Sequence, residues 1–329
     1  MNCKQQIEAF KADPLRMRRL RRRTRRAGIV LFGIARAVFL FCLCLVLLYP
    51  LLVMLSISLR VPSELYDPTV VWIPKHFTLE NYSNVIEKLD LGRIFGNTAI
   101  ITVAGTTCQL IAVMLAGYGF ARFTFPGKKL LFGLLILTIL VPPQVVSIPT
   151  MMYFQQFDLF GLGQIARLFT GSPFTVTLSN TYWAYLLPAI LGAGIKSGLF
   201  VFIFIQFFRG LPKDLQDAAA IDGCGRFRTF WQIMLPLSGA AVLTVTLFSL
   251  VWYWNDSYFC VIFFDSMSTV STTLQNIGDA LVDNGNRNEL AKIPEMQAAA
   301  FLSILPLLTM YTVLQKYFTE SIERTGIVG

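Results

Sequence analysis

The chain is short of the residues that chemistry usually needs. It has one histidine, His76, and 14% of its 329 residues are charged, where soluble domains carry roughly 25%. An isolated histidine builds neither a metal site nor a catalytic cluster. Six cysteines occur, at Cys3, Cys42, Cys44, Cys108, Cys224 and Cys260, but no CxxC pair, which argues against zinc and dithiol redox chemistry. No GxxxxGK[ST] phosphate loop is present; Gly127–Lys128 fails because position 122 is arginine. There is no GxSxG and no carboxylate pair at the centre of an apolar run. These absences, with a hydrophobic fraction of 55%, argue against a soluble enzyme, a disordered chain and a disulfide-stapled module.

Long apolar runs are what the sequence has instead. A bilayer core of about 30 Å takes about 20 apolar residues as a helix. Six runs reach that length, approximately Leu31–Leu59, Thr98–Phe120, Leu130–Tyr153, Tyr182–Phe208, Gly239–Phe264 and Ala298–Tyr317. They are continuous rather than alternating, so they predict helices and not barrel strands. The first run is too long for a signal-peptide core and lacks a small-residue cleavage pattern, so it reads as a retained span.

The net charge of +9 is concentrated. Between Arg16 and Arg26 the chain reads RMRRLRRRTRR. Beside a span, such a block reads as a cytoplasmic tail rather than a nucleic-acid arm. Arg122, Lys128 and Lys129 fall in the second-to-third connection. Arg209, Lys213, Arg226 and Arg228 fall in the fourth-to-fifth. With six spans all three basic segments share a side, which places both termini in the cytoplasm. The opposite loops, about 61–96, 154–181 and 265–296, are mixed or acidic, with Asp279, Asp283, Glu289 and Glu295 in the last.

The most patterned connection is 209–237, RGLPKDLQDAAAIDGCGRFRTFWQIMLPL. Pro212 suits a first helical turn, and Asp214 and Asp217 suit the positive end of the helix dipole. Ala218, Ala219 and Ala220 favour helix and leave a flat ridge that another backbone can approach. Asp222 and Gly223 interrupt it, glycine supplying the positive φ of a helix end. A second amphipathic segment follows, with Phe227, Phe230, Ile233 and Met234, and Pro236 is expected to stop it. A helix resting on lipid and a docking element for a soluble partner both have this make-up.

DAAAIDG, followed by Gly225, Phe230, Ile233, Leu235 and Pro236, resembles the EAA loop of binding-protein-dependent ABC importer permeases. Asp217 stands where glutamate is usual and Cys224 where a small residue is common. Further stretches are similar to the carbohydrate-uptake, maltose-permease-like branch. They are LENYSNV at 79–85, FGNTAI at 95–100, AGYGFARFTFPGKK at 116–129, VPPQVVSIP at 141–149, NTYWAYLLPA at 180–189 and YWNDSYF at 253–259. The likeness runs from about residue 30 to the end; the outward connection 154–181 is longer than the family pattern. The resemblance implies an all-α membrane protein of six transmembrane helices with a cytoplasmic coupling helix–turn–helix. Residues 1–30 would be the basic tail and 31–329 the transmembrane domain, with a short C-terminal tail at 318–329. It implies a non-enzymatic subunit that carries sugar, paired with a homologous permease and fed by an extracytoplasmic solute-binding protein. Two cytoplasmic ATPase subunits would hold the ATP and Mg; this chain would hold no cofactor. Asp217, Ala218, Ala219, Asp222, Gly223, Gly225, Phe230, Ile233, Leu235 and Pro236 would form the ATPase-coupling surface.

Polar residues inside the runs are the other candidates, because intramembrane charges face cavities or partners. Lys196 lies in the fourth run and Asp256 in the fifth, about 9 Å apart in depth by helical rise. They can pair; backbone carbonyls of a broken helix and residues of the other permease are the alternatives for Lys196. Trp254, Asn255 and Tyr258 flank Asp256, either as an interfacial aromatic belt or as walls of a sugar path. Pro142, Pro143 and Pro149 break the third run, as a gate or as a packed bend. An ion-coupled secondary transporter is the alternative function. It leaves the 209–237 pattern unexplained, and six spans show no clear inverted repeat.

Overall fold

The computed structural model describes residues 14–158, 161–165, 171, 174–281 and 292–326, with backbone alone at 14–27 and 318–326. Cys3, Asp283 and Glu289 lie outside them. Among the described residues the chain is helical, with two isolated antiparallel bridges, Arg60–Phe77 and Phe157–Val176. The first helix, α1, runs unbroken from Pro14 to Ser58. The expected boundary near residue 30 therefore carries no break: arginine is a good helix former, and nothing before Pro50 interrupts the helix. A short helix, α2 (Glu80–Lys88), leads into the 32-residue α3 (Leu91–Arg122). The chain closes with α14 (Ile293–Gly326).

Three stretches are single helices long and apolar enough to cross a membrane, Gly28–Ser58, Leu91–Arg122 and Ile293–Tyr317. The other three predicted spans are broken, the third at the prolines that the sequence places there. The third run is α4 (Lys128–Leu140) and α5 (Pro143–Gln155), bent by 99°. Val141 precedes Pro142 and takes an extended conformation, as a residue before proline does; Pro149 sits inside α5 without ending it. The fourth run is α6 (Trp183–Ile190) and α7 (Ser197–Gly210), joined by a turn in which Gly192 and Lys196 have φ of 72° and 57°. In the 209–237 connection come α8 (Asp214–Ile221) and α9 (Arg226–Leu237). The fifth run starts where expected, at α10 (Gly239–Asn255), bent 77° from α9. It breaks at Asp256 and resumes as α11 (Tyr258–Phe263). Two short helices follow, α12 (Val270–Gln275) and α13 (Ile277–Ala280).

At the centre stands α3, packed chiefly against α7, α10 and α6; α14 lies against α1, α10 and α2. Near the C-terminal end of α3, Val113, Met114 and Tyr118 meet Phe200, Phe204, Phe208, Phe230 and Met234 in one buried cluster. Ile94 at its other end joins Val85, Trp254, Val270 and Ala298 in another. The two ends of α3 thus define the two ends of the bundle.

At the end opposite Tyr118, residues 61–79 form a strap held by a buried polar clasp. Arg60 donates to Val70 O at 3.1 Å, Val71 O at 2.9 Å and Ser56 Oγ at 2.8 Å. Glu64 accepts from the backbone N–H of His76 at 2.6 Å and of Lys75 at 3.2 Å, and its Oε1 lies 2.8 Å from His76 Nδ1. Burial pushes the Glu64 carboxyl up, but the His76 and Lys75 hydrogen bonds outweigh it and hold it below its usual value. Asp67 is held well below the usual range by the Lys75 ammonium and by Thr69. Both shifts are downward, so their contribution is full above about pH 4, the ordinary carboxylate value, and fades as pH falls through the depressed values. A spin label at Ser63, which is exposed, should keep one restrained spectrum from neutral pH to about 5 and sharpen only below about 4. E64A should give the mobile spectrum already at pH 7.

Candidate functional site: an exposed helix–turn–helix and broken polar segments

The 209–237 connection folds as two helices around a glycine turn. Helix α8 ends at Asp222; Gly223 takes φ 77°, with Gly223 N–H bonded to Ala220 O and Cys224 N–H to Ala219 O. These bonds satisfy carbonyls that a helix end leaves open. Gly225 then caps α9, its carbonyl accepting from the Thr229 N–H and hydroxyl. Pro236 does not stop α9. The turn Phe230–Met234 widens to a π-helix and the chain stays helical to Leu237. The wider turn accommodates a residue that lacks an N–H and crowds the carbonyl four residues earlier.

The residues divide by exposure. Ala219, Phe230 and Met234 are buried, and Ile233 and Leu235 half-buried. Asp217, Ala218, Asp222, Gly223, Gly225 and Pro236 face outward. Ile221 at 86% and Phe227 at 71% are exposed apolar side chains beside them. The structure thus brings the ridge and turn together on one outer surface, while the aromatics below anchor it.

The anchor is Tyr118, which sequence reasoning missed. Its ring lies 5.0 Å from Phe230 and 5.5 Å from Phe208, and its hydroxyl accepts from Gln216 Nε2 at 3.0 Å. Arg122 adds a bond to Leu211 O at 2.7 Å, and Arg226 stacks over Phe123 at 5.3 Å. The C-terminal end of α3 and Phe123 just after it therefore fasten the 209–237 connection at three points. The signal was the AGYGFARF stretch itself, whose tyrosine and arginine lie four apart and so share a helix face.

The substrate-path residues do not gather into one pocket. Lys196 is exposed, at the turn before α7. Asp256 accepts from the Tyr185 hydroxyl, with Cys260 Sγ 3.1 Å from the same oxygen and Phe259 N–H 3.4 Å from Oδ1. Among the described residues no ion pair joins Lys196 to Asp256, whose partner is the Tyr185 hydroxyl. Trp254 is buried away from Asp256, its Nε1 donating to Ser303 O on α14 at 3.2 Å. Asn255 is exposed and bonds back to Val251 O, and Tyr258 meets Ser147 on α5 at 2.7 Å. The bend of the third run is thus packed against α11, with Phe154 also 5.4 Å from Phe263. Gln109, likewise missed, braces the α6–α7 break by donating to Ile195 O at 2.6 Å and Ser197 Oγ at 2.9 Å. In chemical terms the loop presents an exposed surface of small, acidic and apolar side chains. The broken segments are polar breaks in apolar helices, and among the described residues no His, Cys, Asp and Glu cluster suits a metal.

Comparison with known proteins agrees with this outline. One chain of the crystal structure of a bacterial ABC transporter involved in the import of the acidic polysaccharide alginate has the same fold. Its TM-score is 0.69 at 20% identity, over 88% of this chain and 98% of that one. The osmoprotective compounds uptake permease protein GgtD of Synechocystis sp. is 30% identical over 77% of each chain. Protein LplC of Bacillus subtilis is 29% identical over 92% of this chain and 97% of its own. The arabinooligosaccharides transport system permease protein AraQ of Halalkalibacterium halodurans is 26% identical over 85% and 91%. Residues 110–324 match the family described as binding-protein-dependent transport system inner membrane component. That stretch holds Tyr118, the 209–237 connection and every broken segment, and the chain belongs to this family.

Proposed function

We propose that this permease is one of two homologous membrane subunits of an ATP-driven importer that carries a sugar, in oligosaccharide form, into the cytoplasm. A solute-binding protein delivers the sugar from outside. Two ATPase subunits, which bind the ATP and Mg, dock on the 209–237 surface, and both termini are cytoplasmic. The observation that carries this reading is the exposed Asp217–Gly225 ridge and turn on a frame fixed by Tyr118, Phe208 and Phe230. A surface that merely rested on lipid would have no use for a ridge of small and acidic residues. The sugar is supported by relatives named for arabinooligosaccharide and for melibiose, raffinose and stachyose transport. Coupling requires that ATPase closure make different contacts with two states of the bundle; the bends at Pro142, Lys196 and Ser238 are where its segments turn against each other.

The test is uptake of radiolabelled oligosaccharides by cells with and without the chain. Loss of uptake of at least one sugar, dependent on ATP and indifferent to ionophores, is expected. Uptake abolished by ionophores with ATP intact would favour the ion-coupled alternative.

Lys196 is expected to contribute directly. It holds a left-handed φ of 57°, which costs a residue of this type roughly 1–2 kcal/mol, and such strain persists at functional positions. A charge-assisted hydrogen bond to a sugar hydroxyl is worth about 1.5–3 kcal/mol. K196M should therefore lower uptake about tenfold or more with the protein level unchanged. Unchanged uptake in a well-expressed variant would remove Lys196 from the path.

A further inference from the structure

The strap at 61–79 has a feature that coupling and transport do not use. It leaves the end of α1 and turns back along it. Thr78 N–H returns to Leu59 O at 3.0 Å, and Ser56 Oγ donates to Trp72 O at 2.5 Å. The Trp72 ring then reaches further, meeting Tyr49 edge-on at 5.1 Å. Tyr49 lies nine residues before the helix ends, about 13 Å along the axis. Trp72 therefore lies beside the membrane-spanning part of α1, not above it.

Around this contact the strap exposes mostly apolar side chains, with Lys75 and His76 among them. Val71 and Phe77 are each 66% exposed, Ile73 81% and Trp72 48%. Tyr49, Leu48 and Leu52 continue the patch on α1 and are exposed as well. The strap's charges are answered within it. Lys75 Nζ is 2.6 Å from Asp67 Oδ2, Glu64 is held by His76, and Arg60 is buried on backbone carbonyls. Its polar turn, Asp67–Pro68–Thr69, is tied by Asp67 to the Thr69 N–H and hydroxyl and to Lys75.

We infer that residues 71–77 are a membrane-interface anchor whose partner is the lipid bilayer at the boundary between headgroups and acyl chains. Tryptophan beside aliphatic and aromatic side chains is the composition that this boundary favours. Internal pairing of the charges removes the main cost of entering it. Through the Trp72–Tyr49 contact this patch is continuous with the apolar surface of a span, which favours lipid over a soluble partner. The clasp of Arg60 and Glu64 holds the strap in this downward position.

The test uses the full transport complex in phosphatidylcholine nanodiscs, with the six cysteines of this chain replaced and an environment-sensitive fluorophore placed on I73C. Lipid brominated on its acyl chains near the headgroup should quench most of the emission, and aqueous iodide should quench little. The emission should be blue-shifted relative to the same label at S63C, where the two quenchers exchange roles. F77C should repeat the I73C result if that variant does not assemble. Iodide quenching at I73C equal to that at S63C would show a water-facing strap and overturn the inference. Protection from both quenchers would show that protein covers the patch, and would overturn it equally.

Discussion

Replacing Gly223 by aspartate is expected to abolish sugar uptake while the chain still reaches the membrane. Gly223 has φ 77° and nothing lies within 4 Å of where a Cβ would sit. Volume within this chain is therefore not the issue. Aspartate and asparagine tolerate the left-handed region better than other residues, so the backbone cost is modest. The expected damage is a new carboxylate beside Asp222 on the proposed docking surface. Burying it unpaired against the ATPase costs about 3–5 kcal/mol, more than a hundredfold in affinity. G223N keeps the shape and omits the charge, so it should retain much of the uptake. G223A lacks the charge but strains the turn by roughly 1–2 kcal/mol and should fall between. Uptake, and ATPase recovered with purified membranes, would be measured for each. Normal values for both in G223D would end the docking role of this turn.

The second large effect is expected at Gly117, where α3 crosses α7. A Cβ there would lie 2.4 Å from Phe204 Cβ and 3.3 Å from the Ile205 backbone nitrogen. Neither atom is the free end of a flexible side chain, so the helices themselves must part. Overpacking of this kind costs about 1–3 kcal/mol, against about 1 kcal/mol gained from alanine's helix propensity. G117A should therefore lower the temperature at which the purified protein loses its monodisperse elution peak, and G117L should yield little folded protein. Gly119, two residues on, has nothing within 4 Å of its Cβ position. G119A should be neutral or stabilising. G117A as stable as G119A would contradict the close approach.

These two glycines show how far the sequence could be read. Gly223 was legible because a helix that stops at Asp-Gly needs a residue free to take positive φ. Gly117 was not, because a glycine in an apolar helix looks the same whether or not a neighbour presses on it. The apolar runs were legible as membrane segments, since hydropathy needs only composition. Their breaks were less so. Pro142–Pro143 announced a break but not a 99° bend, because proline removes a hydrogen bond without choosing the direction that packing sets. The break at Gly192–Lys196 depends on Gln109, some 90 residues away in the chain, and no local pattern reveals it. Asp256 stands out in the sequence as a charge in an apolar run. Its partner is Tyr185, and Trp254 turns toward α14. In a helix apolar all round, hydrophobic periodicity does not tell which side faces which neighbour.

The most direct test of the account is purification of this chain from native membranes, followed by an ATPase assay on whatever accompanies it. A homologous permease and an ATPase dimer are expected in the same complex, with hydrolysis raised by a sugar-loaded binding protein and lost in G223D. A lone or self-paired permease with no accompanying ATPase would contradict it.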